Sequence, residues 1–158
     1  MSLVTLDAAK IHLRVEADAT YEDDLIQALV NAAELSASAW LNRLVFVDQG
    51  ALNAAIAATP AALTAATAAY VAASAAADLV TDEIEQDIAQ AAADTTYANA
   101  QAAARATNYG MVVNDSIKSA VLLTVGHLYA NREATTPRQL ADLPMGVQFL
   151  LQPFRVYP

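Results

Sequence analysis

The chain has no cysteine, four glycines, five prolines and aromatic side chains at only 6% of its 158 residues. Without cysteine there is no disulfide, no thiolate nucleophile and no cysteine-ligated zinc. So few glycines and prolines cannot supply the turns that an all-β chain needs. Gly50, Gly110, Gly126 and Gly146 stand alone, so no phosphate-cradling loop is spelled out. Positive charge is scarce as well: eight Lys and Arg face seventeen Asp and Glu, a net charge of −9. The basic residues are scattered, whereas a protein that grips nucleic acid gathers them into a patch. Long runs of large apolar residues are also missing. Pro60 to Ala77 carries no charge, but it is mostly Ala and Thr, with only Leu63, Tyr70 and Val71 large. Membrane spans are dominated by Leu, Ile, Val and Phe, so no span is expected here. The opening residues show no basic stretch followed by an apolar run, and no secretory leader is expected.

Alanine is what the chain has in excess, and it inflates a hydrophobic fraction of 56%. From Ala51 to Ala106 it makes up roughly half of the residues, far above ordinary usage. Alanine is the best helix former, so the composition predicts an all-α protein. Thr5 caps a first short helix, with Asp7 near the positive end of its dipole. Thr20 is the expected cap of a second, whose first turn holds Glu22, Asp23 and Asp24. Leu25, Leu29, Ala32, Ala33, Ser36, Ala39 and Trp40 lie along one face of it, and Ile26, Val30, Ala37, Leu41 and Leu44 widen the stripe. Val45-Phe46-Val47 and Met111-Val112-Val113 read as short extended pieces. Asn114 caps the strongest helix, whose expected buried face is Ile117, Val121, Leu122, Val125, Leu128 and Tyr129. Gly126 in its middle costs about 1 kcal/mol against alanine, and a closely packed neighbour would explain it.

The middle segment carries two further helix signals. Thr59-Pro60 reads as a cap with proline at the first helical position, and Thr81-Asp82-Glu83 as a second start. Leu63, Tyr70, Ala77, Ile84, Ala91 and Ala98 fall seven apart, with Thr67, Ser74, Thr81, Ile88 and Thr95 in the matching second position. This pattern fits an antiparallel hairpin turning near Asp78 to Thr81. It also fits one continuous helix from Pro60 to about Asn108, roughly 70 Å long. The restart at Thr81 favours the hairpin. The expected fold is an all-α, small helical bundle core with an inserted Ala-rich helical hairpin and an extended C-terminal tail. Residues 1–47 and 111–158 form the core, and 48–110 the insertion.

No convergent chemistry is spelled out. His12 and His127 each stand alone in a helix, without the paired spacing of a metal site. Asp82, Glu83, Glu85 and Asp87 lack the loop glycine and alternating ligands of a calcium hand, and fit a helix start. There is no GxSxG elbow. The reading is therefore no enzyme, no metal and no cofactor.

Three stretches carry a resemblance: SLVTLDAAKIHLRV from Ser2 to Val15, SIKSAVLLTVGHLYANREA from Ser116 to Ala134, and LPMGVQFLLQPFRVYP from Leu143 to Pro158. Val121 to Glu133 matches the family character ILLLVGHLYxNRE. Leu143 to Arg155 matches LPxGVxxLLxPYR, with Phe154 where tyrosine is expected. Together they resemble the small helical head–tail connector (adaptor) proteins of tailed bacteriophages. The Ala-rich middle departs from the shorter segment of many relatives. The resemblance implies a structural protein that assembles as a ring of about a dozen copies. Such a ring lies under the portal and, with tail-side completion proteins, joins the DNA-filled head to the tail. DNA passes through without sequence-specific binding, and no membrane is involved. The location implied is the head–tail junction of the virion, after assembly in the bacterial host cytoplasm. Arg132 and Glu133 are expected to pair across subunits. Phe154, Arg155 and Tyr157 are expected to dock against a neighbour or the portal. The Ala-rich hairpin would enlarge the ring's outer wall or touch the next protein. The alternative reading is an acidic helical protein-binding module or export chaperone. An all-α enzyme built from distant carboxylates ranks last.

Overall fold

The computed structural model describes residues 2–131 and 145–157. In chain order the elements are α1 (Leu6–Leu13), α2 (Asp23–Leu41), β1 (Val45–Phe46), α3 (Gln49–Ala77), α4 (Glu83–Asn108), β2 (Met111–Val112), α5 (Asp115–Ala130) and α6 (Met145–Leu151). A single 3-10 turn at Gln152–Phe154 follows α6. The chain divides into two compact units. Residues Met1–Gln49 and Met111–Pro158 make the first, and Gly50–Gly110 the second. The fold is all-α, with a helical core, an Ala-rich hairpin and an extended tail, as its composition leads one to expect.

In the first unit α2 and α5 form the centre. Ile26, Val30, Ala33, Ala37 and Leu41 recur every three or four residues along α2 and are buried. Ile117, Ala120, Val121, Thr124 and Val125 do the same on α5. The buried face of α2 thus takes Ile26, Val30, Ala37 and Leu41 from the set expected only to widen its stripe and Ala33 from the stripe itself, while Leu25, Ala32, Ser36 and Ala39 are exposed. Both candidate stripes repeat at helical spacing, so periodicity does not choose between them; the partner does. Val4 and Ala9 of the N-terminal segment and Val147 and Leu151 of α6 complete the cluster.

The caps follow local chemistry where the side chain is free. The Thr5 hydroxyl accepts from the Ala8 amide at 3.2 Å, and Asn114 Oδ1 from the Ile117 amide at 3.0 Å. At α2 the expected cap fails. Its first residue is Asp23, and the Thr20 carbonyl, not its hydroxyl, takes the Asp23 amide at 3.2 Å. The reason is Lys10. Its side chain is buried in α1, and Nζ donates to the Ala17 carbonyl at 3.0 Å, the Ala19 carbonyl at 2.9 Å and Asp23 Oδ1 at 2.8 Å. One ammonium thus satisfies the turn between α1 and α2 and the first residue of α2. Glu34 does the matching work for the N-terminal segment: its Oε1 accepts from Ser2 Oγ at 2.7 Å and from the amides of Leu3 at 2.7 Å and Val4 at 3.0 Å. Gly126 is crowded as expected, but by a side chain: a Cβ there would lie 3.3 Å from His12 Nε2.

β1 and β2 pair in parallel, Val45 opposite Met111 and Phe46 opposite Val112. The Met111 amide donates to the Leu44 carbonyl at 3.0 Å and Val113 to Phe46 at 2.8 Å.

The second unit is a hairpin of α3 and α4, reversing between Ala77 and Glu83. Asp82 caps α4, its carboxylate accepting from the Glu85 amide at 3.0 Å. Tyr70 and Tyr97 stack with ring centroids 5.0 Å apart, and Gln90 Nε2 donates to Tyr70 Oη at 3.4 Å and Ser74 Oγ at 3.3 Å. A hydrogen bond from Thr67, then one involving Gln101, hold the Tyr97 phenol below its usual pKa. The sevenfold pattern holds for Leu63, Tyr70 and Ala77 and then stops, since Ile84, Ala91 and Ala98 are exposed. The turn resets the helical phase. Thr59-Pro60 does not start α3, which begins at Gln49 and carries Pro60 inside it. Proline in a helix interior forfeits one hydrogen bond, here to the Ile56 carbonyl, and Thr59 Oγ1 donates to the Ala55 carbonyl at 3.0 Å. By length and composition α3 could cross a membrane, with a mean hydropathy of 1.4.

Lys10→Met keeps the buried stem and leaves two carbonyls and Asp23 without their donor. Asp23 is partly exposed (29%) and rehydrates, so the expected loss is about 2–3 kcal/mol, or a melting temperature about 5–10 °C lower, read by circular dichroism. Replacing residues 50–110 by a short Gly/Ser linker is expected to leave the first unit folded. Trp40, the only tryptophan, reports that unit alone by its emission and unfolding midpoint.

Candidate functional site

The C-terminal segment docks where α2 ends. Asn42 stops α2 in the left-handed region, φ 56° and ψ 34°, a conformation asparagine tolerates better than most residues. That turn leaves the Leu41 carbonyl pointing out of the helix, where it accepts from the Val156 amide at 2.9 Å. Asn42 Nδ2 donates to the Val156 carbonyl at 3.4 Å, and Arg43 Nη1 to the Phe154 carbonyl at 3.5 Å. The tail is thus held through its backbone, and its side chains are set by register.

Arg155 lies between two aromatic rings. Its guanidinium carbon is 4.6 Å from the centroid of Trp40 and 5.2 Å from that of Tyr157, both within cation–π range. Gln152 Nε2 donates to the Tyr157 hydroxyl. Tyr157 is the outer layer and stays 62% exposed, while Phe154 is half-buried and packs on the core cluster. Of the five residues singled out from the sequence, Phe154, Arg155 and Tyr157 come together on the end of α2. Arg132 and Glu133 lie outside the described residues. Trp40, which reads in sequence as one more apolar position on α2, is the residue on which the arrangement is built. Its ring supports Arg155, and its indole N–H has no acceptor among the described residues.

Beside this stack lies a groove of about 330 Å³ between α2, α5 and α6. Its walls are Ala37, Trp40, Leu128, Val147 and Leu151, with Ser36, Thr124, His127 and Gln148 completing the lining. The Thr124 hydroxyl is spent on the Ala120 carbonyl at 2.9 Å, and the His127 carbonyl accepts from Asn131 Nδ2 at 2.8 Å. Among the described residues that line the groove His127 alone is titratable, so the lining suits binding of an apolar group better than proton transfer. Among the described residues no three His, Cys, Asp or Glu side chains gather as a metal site would require.

A family model for phage gp6-like head-tail connector proteins matches residues 3–155. The chain belongs to that family. No curated protein and no solved structure matches it. The match begins at the residue whose amide Glu34 holds and ends at the arginine stacked on Trp40, so it takes in both ends of the first unit. The family is a structural one, and membership makes the connector a component of the phage particle.

Arg155→Ala removes both cation–π contacts of the connector. The expected loss is about 1 kcal/mol, together with a shift in Trp40 emission, and Arg155→Lys is expected to keep part of both. Urea unfolding followed by fluorescence measures the two together.

Proposed function

We propose that the connector assembles as a ring of about a dozen copies under the portal vertex. There, with tail-side completion proteins, it joins the DNA-filled head to the tail, after assembly in the host cytoplasm. The family match over residues 3–155 carries this reading. The fold supports it, because residues far apart in the chain make one unit whose C-terminal segment is displayed on the end of α2. In this reading Phe154, Arg155 and Tyr157 form the contact with a neighbour or the portal. Tyr157 offers its exposed ring, and Arg155 holds it in place. Arg132 and Glu133 pair across subunits.

The charge of −9 fits a passage through which DNA slides without being gripped, since like charges repel. The hairpin belongs in water in this reading. Its uncharged α3 is matched by an α4 that carries Glu83, Glu85, Asp87 and Asp94, and carboxylates are costly in a bilayer.

Two measurements test the proposal. Negative-stain images of the purified chain, or of its complex with the portal, are expected to show closed rings. Phage lacking the gene are expected to accumulate DNA-filled heads without tails. Normal tailed particles formed in its absence would overturn the reading.

A further inference from the structure

The first unit presents a knob as well as a hole. Val147 and Leu151, four apart on α6, face the core and line the groove. Phe149 lies midway between them, so its side chain leaves the helix on the opposite side. It is 80% exposed, whereas Phe46 and Phe154 are half-buried. Unlike the exposed Tyr21 and Tyr157, it has no hydroxyl with which to hold water. A side chain of this kind carries about 150–250 Å² of surface to bury, and water opposes leaving it bare. The groove is of suitable size and character. A cavity of about 150 Å³ holds a benzene ring, and this one measures about 330 Å³ with Trp40, Leu128, Val147 and Leu151 around it.

We propose that Phe149 of one copy enters the groove of the next, between its α2, α5 and α6. The occupant is a second copy because knob and hole lie on opposite sides of a single helix. A chain built this way cannot seat its own Phe149 in its own groove. It joins head to tail, and a head-to-tail contact either closes into a ring or runs on as a filament. The proposal rests on the ring reading above and names the contact that would build it. Trp40 then has two duties, its ring serving both as a support for Arg155 and as a wall for the neighbour's phenyl group.

The test uses the full chain and two substitutions at exposed positions, Phe149→Glu and Ser36→Phe. The first removes the knob, and the second fills the groove from its rim. Mass photometry and sedimentation over a concentration series read assembly, and circular dichroism confirms that both variants fold. The wild type is expected to assemble, and each variant alone to need at least about tenfold more protein. Mixed together they are expected to form one-to-one dimers and nothing larger, because each retains the half that the other lacks. Rings that survive both substitutions would remove the Phe149 contact and leave the ring reading standing. Rings lost instead with Leu35→Glu or Ile11→Glu, and kept with Phe149→Glu, would place the contact elsewhere. A wild-type chain that stays monomeric at millimolar concentration would overturn the contact, while images of the portal complex would still decide the ring.

Discussion

The packing of α2 on α5 is the interaction on which the rest depends. Ile26, Val30 and Leu41 meet Ile117, Val121 and Val125 in a fully buried cluster, each worth about 1.5–3 kcal/mol when removed from water. Alanines at 33, 37 and 120 fill the positions between them and let the helices approach closely. The other core elements depend on this pair. α1 lies over Gly126 through His12, α6 closes the cluster with Val147 and Leu151, and the tail hangs from the carbonyl of Leu41. The register of the C-terminal segment is thus inherited from a helix end, not from a loop.

Two charged side chains hold what the apolar core does not reach. Lys10 gathers two loop carbonyls and Asp23, and Glu34 gathers the amides of Leu3 and Val4. Both act on segments without regular structure, whose backbone groups would otherwise be left without protein partners. A buried charge is costly unless fully bonded, and Lys10 spends all three of its donors. The polar anchors therefore fix the conformation of the N-terminal region through bonds that apolar packing cannot supply.

The parts of this fold legible in sequence were those decided within a few residues. Thr5, Asp82 and Asn114 announce their helices because a cap needs only the next turn. The reversal before Glu83 was equally local. What escaped depended on distant partners. Which of two stripes on α2 is buried is settled by α5, and Thr20 loses its cap because Lys10 draws the loop into another shape. Pro60 misled for a different reason: Thr-Pro is a common helix start, and only the alanines before it show that the helix is already under way. Trp40, the centre of the candidate site, was hidden because the arginine stacked on it lies 115 positions further along the chain. The family was legible from α5 and the C-terminal segment, whereas the Phe149 knob became visible only once its exposure was known.

The parallel pairing of β1 with β2 has a kinetic consequence. Met111 can find Val45 only after 65 intervening residues have been drawn into a closed loop, and the entropy of closure rises with loop length. Helices α3 and α4 need only local contacts, which form in microseconds or less. Once they have folded back on each other, the loop that remains to be closed is a few residues long at each end. By folding back on itself the alanine-rich hairpin shortens the loop that closure must span, and so lowers the entropic cost of bringing α5 to α2.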